Sequence, residues 1–230
     1  MIEMVVFDMA GTVVDEQNVV YKTLHETLTE AGISTDFETV LALGAGKEKK
    51  VAIADLVSHV EGSQDPTRIQ ELFDSFREKL DAAYLNLHIL PQPGAETVFE
   101  ELKKRNIYII LNTGYDRKTA ELLLEKLDWH VDKEIDYLVT ASDVYAGRPE
   151  PDMIEKAMEY YDIESGDQVI KVGDSIVDIE EGQNAGCKFV IGITTGAHSH
   201  SQLLKAEPTH IIDHLSELLE IIDEYDTQSF

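Results

Sequence analysis

The chain has 230 residues, 43% hydrophobic and 28% charged, which is enough to bury one large core or a core with a smaller insert. A formal net charge of −26 argues against nucleic acid or an anionic membrane surface as a partner, and an anionic substrate would need local cations. The single cysteine, Cys187, excludes an internal disulfide; with no basic-then-apolar leader and no apolar run of membrane-span length, a cytoplasmic location is expected.

The first element is a short apolar run at 4–7 (MVVF) that delivers Asp8 into the turn Ala10-Gly11-Thr12. From 16 to 88 no strand pattern follows; the periodicity predicts amphipathic helices over 19–31, 47–60 and 67–85, closed by the breakers Pro91, Pro93 and Gly94. Thereafter helix and strand alternate: helices over 94–105, 117–127, 151–161 and 177–186, and strands over 107–111, 136–140, 168–172, 188–193 and, more weakly, 210–212. An amphipathic terminal helix follows over 214–225. The strands are continuously apolar rather than alternating, as in sheets buried on both faces. The pattern predicts an α/β fold with a doubly wound parallel sheet and an inserted all-helical cap over the sheet's carboxyl edge, where open α/β sheets bind ligands. Residues 1–15 and 89–230 form the expected core, and 16–88 the expected cap.

Four features fall where strands end: Asp8; Thr113 and Gly114 in "ILNTGYDR"; Arg148 in "AGRPEP"; and Asp174 with Asp178 in "KVGDSIVDIEEG". Singly, each is an ordinary turn, cap or surface residue. Together, strand-end carboxylates, a hydroxyl with a glycine and one cation are the parts needed to hold Mg²⁺ and a phosphoryl group. Asp8 is then the nucleophile that forms an aspartyl-phosphate, while Thr113 and Arg148 neutralise the phosphoryl oxygens.

These four motifs, in this order, resemble the haloacid dehalogenase-like hydrolase superfamily over nearly the whole chain. The resemblance implies a Rossmann-like core, a mobile cap and Mg²⁺-dependent phosphoryl transfer. It makes Asp8 nucleophile and metal ligand, gives Ala10 a metal contact through its backbone carbonyl, makes Asp174 the second carboxylate ligand, and makes Asp178 a ligand or a residue that orients one. Phosphatases of the superfamily carry a second Asp at the position of Ala10, as the acid for the leaving alkoxide. Its absence, with "DMAGTVVDE", "GRPEP" and "TTGAHSHSQL", resembles the phosphonatase-like branch, in which a cap lysine condenses with a substrate aldehyde to give an electron sink for P–C cleavage.

Lys47 in "LGAGKEKKVAI" is the expected counterpart of that lysine; it sits with Lys49 and Lys50 at a helix start, where the dipole opposes a cation. Met9 stands where true phosphonatases have Trp, and Lys50 where they have His. The expected partner is a small phosphonate or phosphate metabolite; the chain is also compatible with a homodimer. A phosphomonoesterase of the phosphoglycolate or sugar-phosphate type is the rival reading, and a non-catalytic phosphate-binding module a more distant one. His198 and His200 are expected in a surface loop, and His25, His59 and His88 scattered through the cap. Trp129 is expected against the leucine-rich helix, and Cys187 packed as a small apolar residue.

Overall fold

A computed structural model describes residues 1–63 and 65–228 of the chain. Its sheet has six parallel strands, β1 (Met4–Asp8), β4 (Tyr108–Thr113), β5 (Tyr137–Thr140), β6 (Val169–Gly173), β7 (Phe189–Ile193) and β8 (His210–Ile212), in the order β5-β4-β1-β6-β7-β8. β1 lies in the middle, where the strand order reverses. Asp8 pairs in register with Asn112 of β4, and Phe7 with Val172 of β6, so the carboxyl ends of the three central strands meet at one edge.

Side chains alternate across the sheet as the pleat requires. Val5, Phe7, Ile109, Leu111, Ile170 and Val172 join one core with α5 (Ala95–Lys104), α6 (Arg117–Leu127) and α10 (Glu217–Gln228). Met4, Val6, Ile110 and Val169 face α7 (Asp152–Tyr160) on the other side. This second face also carries Asn112 and Lys171, which are fully buried beside α8 (Ile176–Asn184). The sheet is therefore doubly wound, as its unbroken apolar strands required. Trp129 sits edge-on to Phe99 and donates to Glu96, and Cys187 is half-buried against the second core.

Four helices lie between β1 and the rest of the sheet: α1 (Val19–Glu30), α2 (Phe37–Gly44), α3 (Lys49–Glu61) and α4 (Pro66–Asn86). They pack on one another, and their connections to the sheet run through a two-stranded antiparallel ribbon of β2 (Val14–Asp15) and β3 (Leu90–Pro91). Neither the ribbon nor α2 is apparent in the sequence pattern. Two-residue strands carry no periodicity, and α2 is a two-turn helix whose clearest signal is its N-cap, Asp36, which accepts from the Thr39 amide. Helix α9 (His200–Leu203) is a single turn. Among the described residues no helix is long and apolar enough to cross a membrane.

Candidate active site

The site is assembled where β1, β4 and β6 end. Asp8, Thr113, Arg148, Asp174 and Asp178 are all buried there. Carboxylate oxygens of Asp8, Asp174 and Asp178 lie within 4.8 Å of one another. The approach depends on Gly11, which turns at φ +85°; a Cβ there would lie 2.5 Å from Asp174 Oδ2. Thr113 Oγ1 accepts from the Tyr115 amide at 3.2 Å, shaping the loop after β4. Gly114 lets the insert come down on that loop, for a Cβ would sit 2.8 Å from the Lys47 carbonyl.

Arg148 is the hub. Its Nε donates to Glu181 Oε2 at 2.9 Å, Nη1 to Asp8 Oδ1 at 2.7 Å and the Gly46 carbonyl at 3.4 Å, and Nη2 to Asn112 O at 2.9 Å and Oδ1 at 2.6 Å, with Asp178 Oδ1 an ion-pair partner 2.9 Å from Nη1. All five guanidinium N–H groups therefore have protein acceptors. Arg148, expected to neutralise the phosphoryl group, lies against Asp8 and holds one oxygen of that carboxylate. Lys171 completes the layer, 3.1 Å from both Asp178 and Glu181 and 2.6 Å from Asn112 Oδ1.

The electrostatics separate the three aspartates. Burial pushes Asp178 up, but Arg148 and Lys171 outweigh it and hold this carboxyl below its usual range. Its Oδ2 accepts from Ser175 Oγ, while Oδ1 faces Arg148 and Lys171 at ion-pair distance but is buried without a hydrogen bond and so stays open to a cation. Asp8 and Asp174 go the other way. Burial raises both, and the repulsion of Asp178 on Asp8 and of Asp8 on Asp174 adds to it. Asp8, Asp174, Asp178 and Glu181 outnumber the buried cations around them, Arg148 and Lys171 in the floor and Lys49 from the insert, so negative charge is in excess. Buried oxygen donors that close, with that excess charge, fit a hard divalent cation.

The structure separates the lysines at the start of α3. Lys47 precedes α3, and its Nζ is taken by Asp55 Oδ2 at 2.6 Å, on the outer side of the helix. Lys49 is the buried one: its Nζ donates to the Lys47 carbonyl at 2.6 Å and lies 5.4 Å from the ring centroids of both Tyr21 and Tyr115. Burial brings its pKa down to about 8, against the pull of Asp8 and Glu48. The helix register explains the switch. With α3 starting at 49, Lys49, Ala52, Ile53 and Leu56 form the buried i, i+3, i+4, i+7 stripe, so the signal was present once the helix start was known.

His198 is likewise not a surface residue. It is 3% exposed, its Nδ1 accepts from the Ile176 amide at 3.0 Å, and its Nε2 donates to the Leu41 carbonyl at 3.2 Å, which ties α8 to α2. His200 is exposed, as are His59 and His88, and His25 Nε2 bonds the Thr35 carbonyl. Sequence reasoning also missed Asn112, Lys171 and Glu181. A lysine inside the apolar strand QVIKV and a glutamate three residues after Asp178 were the available signals.

A family model for haloacid dehalogenase-like hydrolases matches residues 5–192. The chain belongs to that family. Among curated relatives, a phosphonoacetaldehyde hydrolase from Latilactobacillus sakei is 30% identical over 227 residues, covering 92% of this chain and 81% of its own length. One from Bacillus cereus is 33% identical over 207 residues, covering 85% and 77%. Among solved structures, a phosphonoacetaldehyde hydrolase-like protein from Oleispira antarctica superposes with TM-score 0.83 at 22% identity, covering 97% of this chain and 92% of that one. A hydrolase from Pseudomonas syringae gives TM-score 0.84 at 22% identity, covering 96% and 98%. The last two show the α/β fold with its helical insert; family membership makes the chain a hydrolase.

Proposed function

We propose that the protein is a Mg²⁺-dependent hydrolase that removes the phosphoryl group of a small phosphonate of the phosphonoacetaldehyde type through an aspartyl-phosphate on Asp8. The observation that carries this reading is the buried Lys49 amine opposite a floor on which Ala10 stands in place of a second acid. The curated relatives named above support the same substrate class. In this reading residues 16–88 act as a cap on a catalytic core made of 1–15 and 89–230.

Asp8 and Asp174, with the Ala10 carbonyl, would hold the cation, which when bound neutralises phosphoryl charge. Arg148 holds Asp8 so that one carboxylate oxygen is presented to phosphorus, and Thr113 and Gly114 line the phosphoryl position. Lys49, about half deprotonated at pH 8, adds to the aldehyde carbon as the free amine and loses water to give an imine. In its protonated form the imine takes the electron pair of the P–C bond as Asp8 forms its bond to phosphorus. An enamine on Lys49 and a phosphoryl group on Asp8 result. Protonation at carbon followed by hydrolysis frees Lys49, and attack of water on phosphorus frees Asp8.

Phosphate release from phosphonoacetaldehyde and from a set of small phosphate esters, with Mg²⁺ and with EDTA, tests the reading. Release from the phosphonate that EDTA abolishes, with borohydride trapping the substrate on Lys49, is the expected result. Release only from esters would move the assignment to a phosphomonoesterase, and no release from any compound would overturn phosphoryl transfer altogether.

A further inference from the structure

The surroundings of Lys49 suit a different nitrogen cation from the ammonium it carries at rest. Its Nζ lies 5.4 Å from the ring centroids of both Tyr21 and Tyr115, within the range of a cation–π contact. Among the described residues it has one hydrogen bond, to the Lys47 carbonyl at 2.6 Å, and no ion pair. The two carboxylates that pull on it are engaged elsewhere. Asp8 Oδ1 accepts from Arg148 at 2.7 Å, and Glu48 Oε2 caps α3 by accepting from the Val51 amide at 2.9 Å.

Both rings are buried and tethered at their hydroxyl ends. Tyr21 lies in α1, and its hydroxyl accepts from the Gly46 amide at 3.2 Å. The Gly46 carbonyl accepts in turn from Arg148 Nη1 at 3.4 Å, the nitrogen that holds Asp8. Tyr115 follows β4, and its hydroxyl accepts from the Tyr84 hydroxyl at 3.3 Å. One face therefore comes from the insert and the other from the core, and the two meet at Lys49 only where insert and core are packed together. Lys49 and Tyr115 line one cleft with Gly114, so the amine shares that space with the loop at the phosphoryl position.

The number of donors fits the imine better than the resting side chain. An ammonium has three N–H groups, and the Lys47 carbonyl satisfies one of them. The protonated imine formed by adding the amine to an aldehyde and losing water has a single N–H, which that one carbonyl satisfies. The positive charge stays on the nitrogen, and an aromatic face attracts a cation without requiring an N–H. A carboxylate in the same place would instead hold the ammonium and oppose the free amine that must add to the carbonyl carbon.

We infer that Tyr21 and Tyr115 form an aromatic cage for the protonated imine on Lys49, with Tyr21 the face that the insert contributes. The proposal rests on the imine chemistry set out above. When the P–C bond breaks, its electron pair enters the C=N bond and the nitrogen becomes neutral in the enamine. Protonation at carbon restores the cation, and water then releases the aldehyde and the free amine. The cage favours the cationic imine on each side of the enamine and is itself unchanged. A phosphate ester, which forms no imine, gains nothing from it.

The test uses acetaldehyde, an aldehyde without phosphorus, so that imine formation is read apart from phosphoryl transfer. Each protein is incubated with acetaldehyde and borohydride, which adds hydride to the imine carbon and leaves an ethyl group on the lysine, counted by peptide mass spectrometry. Wild type should be labelled on Lys49. Tyr21→Phe, which keeps the ring and loses the hydroxyl, should be labelled within about 3-fold of wild type, and Tyr21→Leu about 10-fold less. Tyr115→Leu, on the other side of the cleft, should show the same loss and serves if Tyr21→Leu does not fold by circular dichroism. A leucine variant labelled like wild type would overturn the cage. Equal losses in Tyr21→Phe and Tyr21→Leu would also overturn it, since the hydroxyl's hold on Gly46 would then account for the effect. Wild type that acetaldehyde and borohydride leave unlabelled would defeat the imine reading itself, and this proposal with it.

Discussion

Arg148 and Lys49 are both buried cations that face Asp8, one from the floor of the site and one from the insert above it, yet the fold treats them in opposite ways. Asp178, Glu181 and Asp8 outweigh burial around Arg148 and hold its pKa above the ordinary value, and Glu181, Asp8, Gly46 and Asn112 between them accept from every N–H it has. Around Lys49 burial wins: its one hydrogen bond among the described residues goes to a backbone carbonyl, and two aromatic faces supply the rest of its surroundings. A fully partnered cation is part of the structure, and its charge is fixed. A buried amine with spare donors is poised to react. In the proposed reading the floor positions, and the insert supplies chemistry specific to the substrate.

The largest expected effect lies on the floor. Asp8→Asn should lower phosphate release by at least about 10⁴-fold, measured by a continuous phosphate assay, because the nucleophile has no substitute. Arg148→Met should cost about 3–5 kcal/mol in urea unfolding, since it strands Asp178 and Glu181 as buried charges, and should abolish activity as well. A variant that folds normally would break the distinction drawn here. Lys49→Met should do the converse. Turnover of the phosphonate should drop by about 10³-fold while the melting temperature holds or rises, because an amine that burial disfavours has been removed.

The next expectation concerns pH. Glu16 is raised from 4.5 to about 7, so the folded state keeps its proton after the unfolded chain has lost it. Its contribution therefore falls as pH rises from about 4.5 to 7 and is constant above that. Glu16→Gln should gain on wild type by up to about 3 kcal/mol across this window, read from unfolding curves at a series of pH values. A flat difference would mean that the carboxyl titrates normally. The smallest effect is expected at Lys47, whose ion pair with half-exposed Asp55 is of the surface kind: Lys47→Met should change turnover less than 3-fold and stability by under about 1 kcal/mol.

Most of the floor was legible in the sequence because strand ends are legible. Asp8, Thr113, Arg148, Asp174 and Asp178 each follow or flank an apolar run, and a parallel sheet brings such ends together whatever the intervening chain does. The insert was harder. Which lysine faces inward depends on where α3 begins, and a boundary shift of two residues turns a helix by more than half a revolution; Lys47 was expected from its likeness to the family's cap lysine, which carries no information about that register. Asn112, Lys171 and Glu181 escaped for a different reason. Each belongs to a polar layer beneath the site, and only the register of β4 beside β1 and β6 brings them to Arg148.

The central claim is that Asp8 carries the phosphoryl group while the insert handles the rest of the substrate. Acid-quenched enzyme, stopped during turnover of phosphonoacetaldehyde and analysed by peptide mass spectrometry, tests it most directly. The account predicts one added phosphoryl group on the peptide 1–22, localised to Asp8 and absent in Asp8→Asn. Phosphate release without any such adduct, or an adduct on another residue, would contradict it.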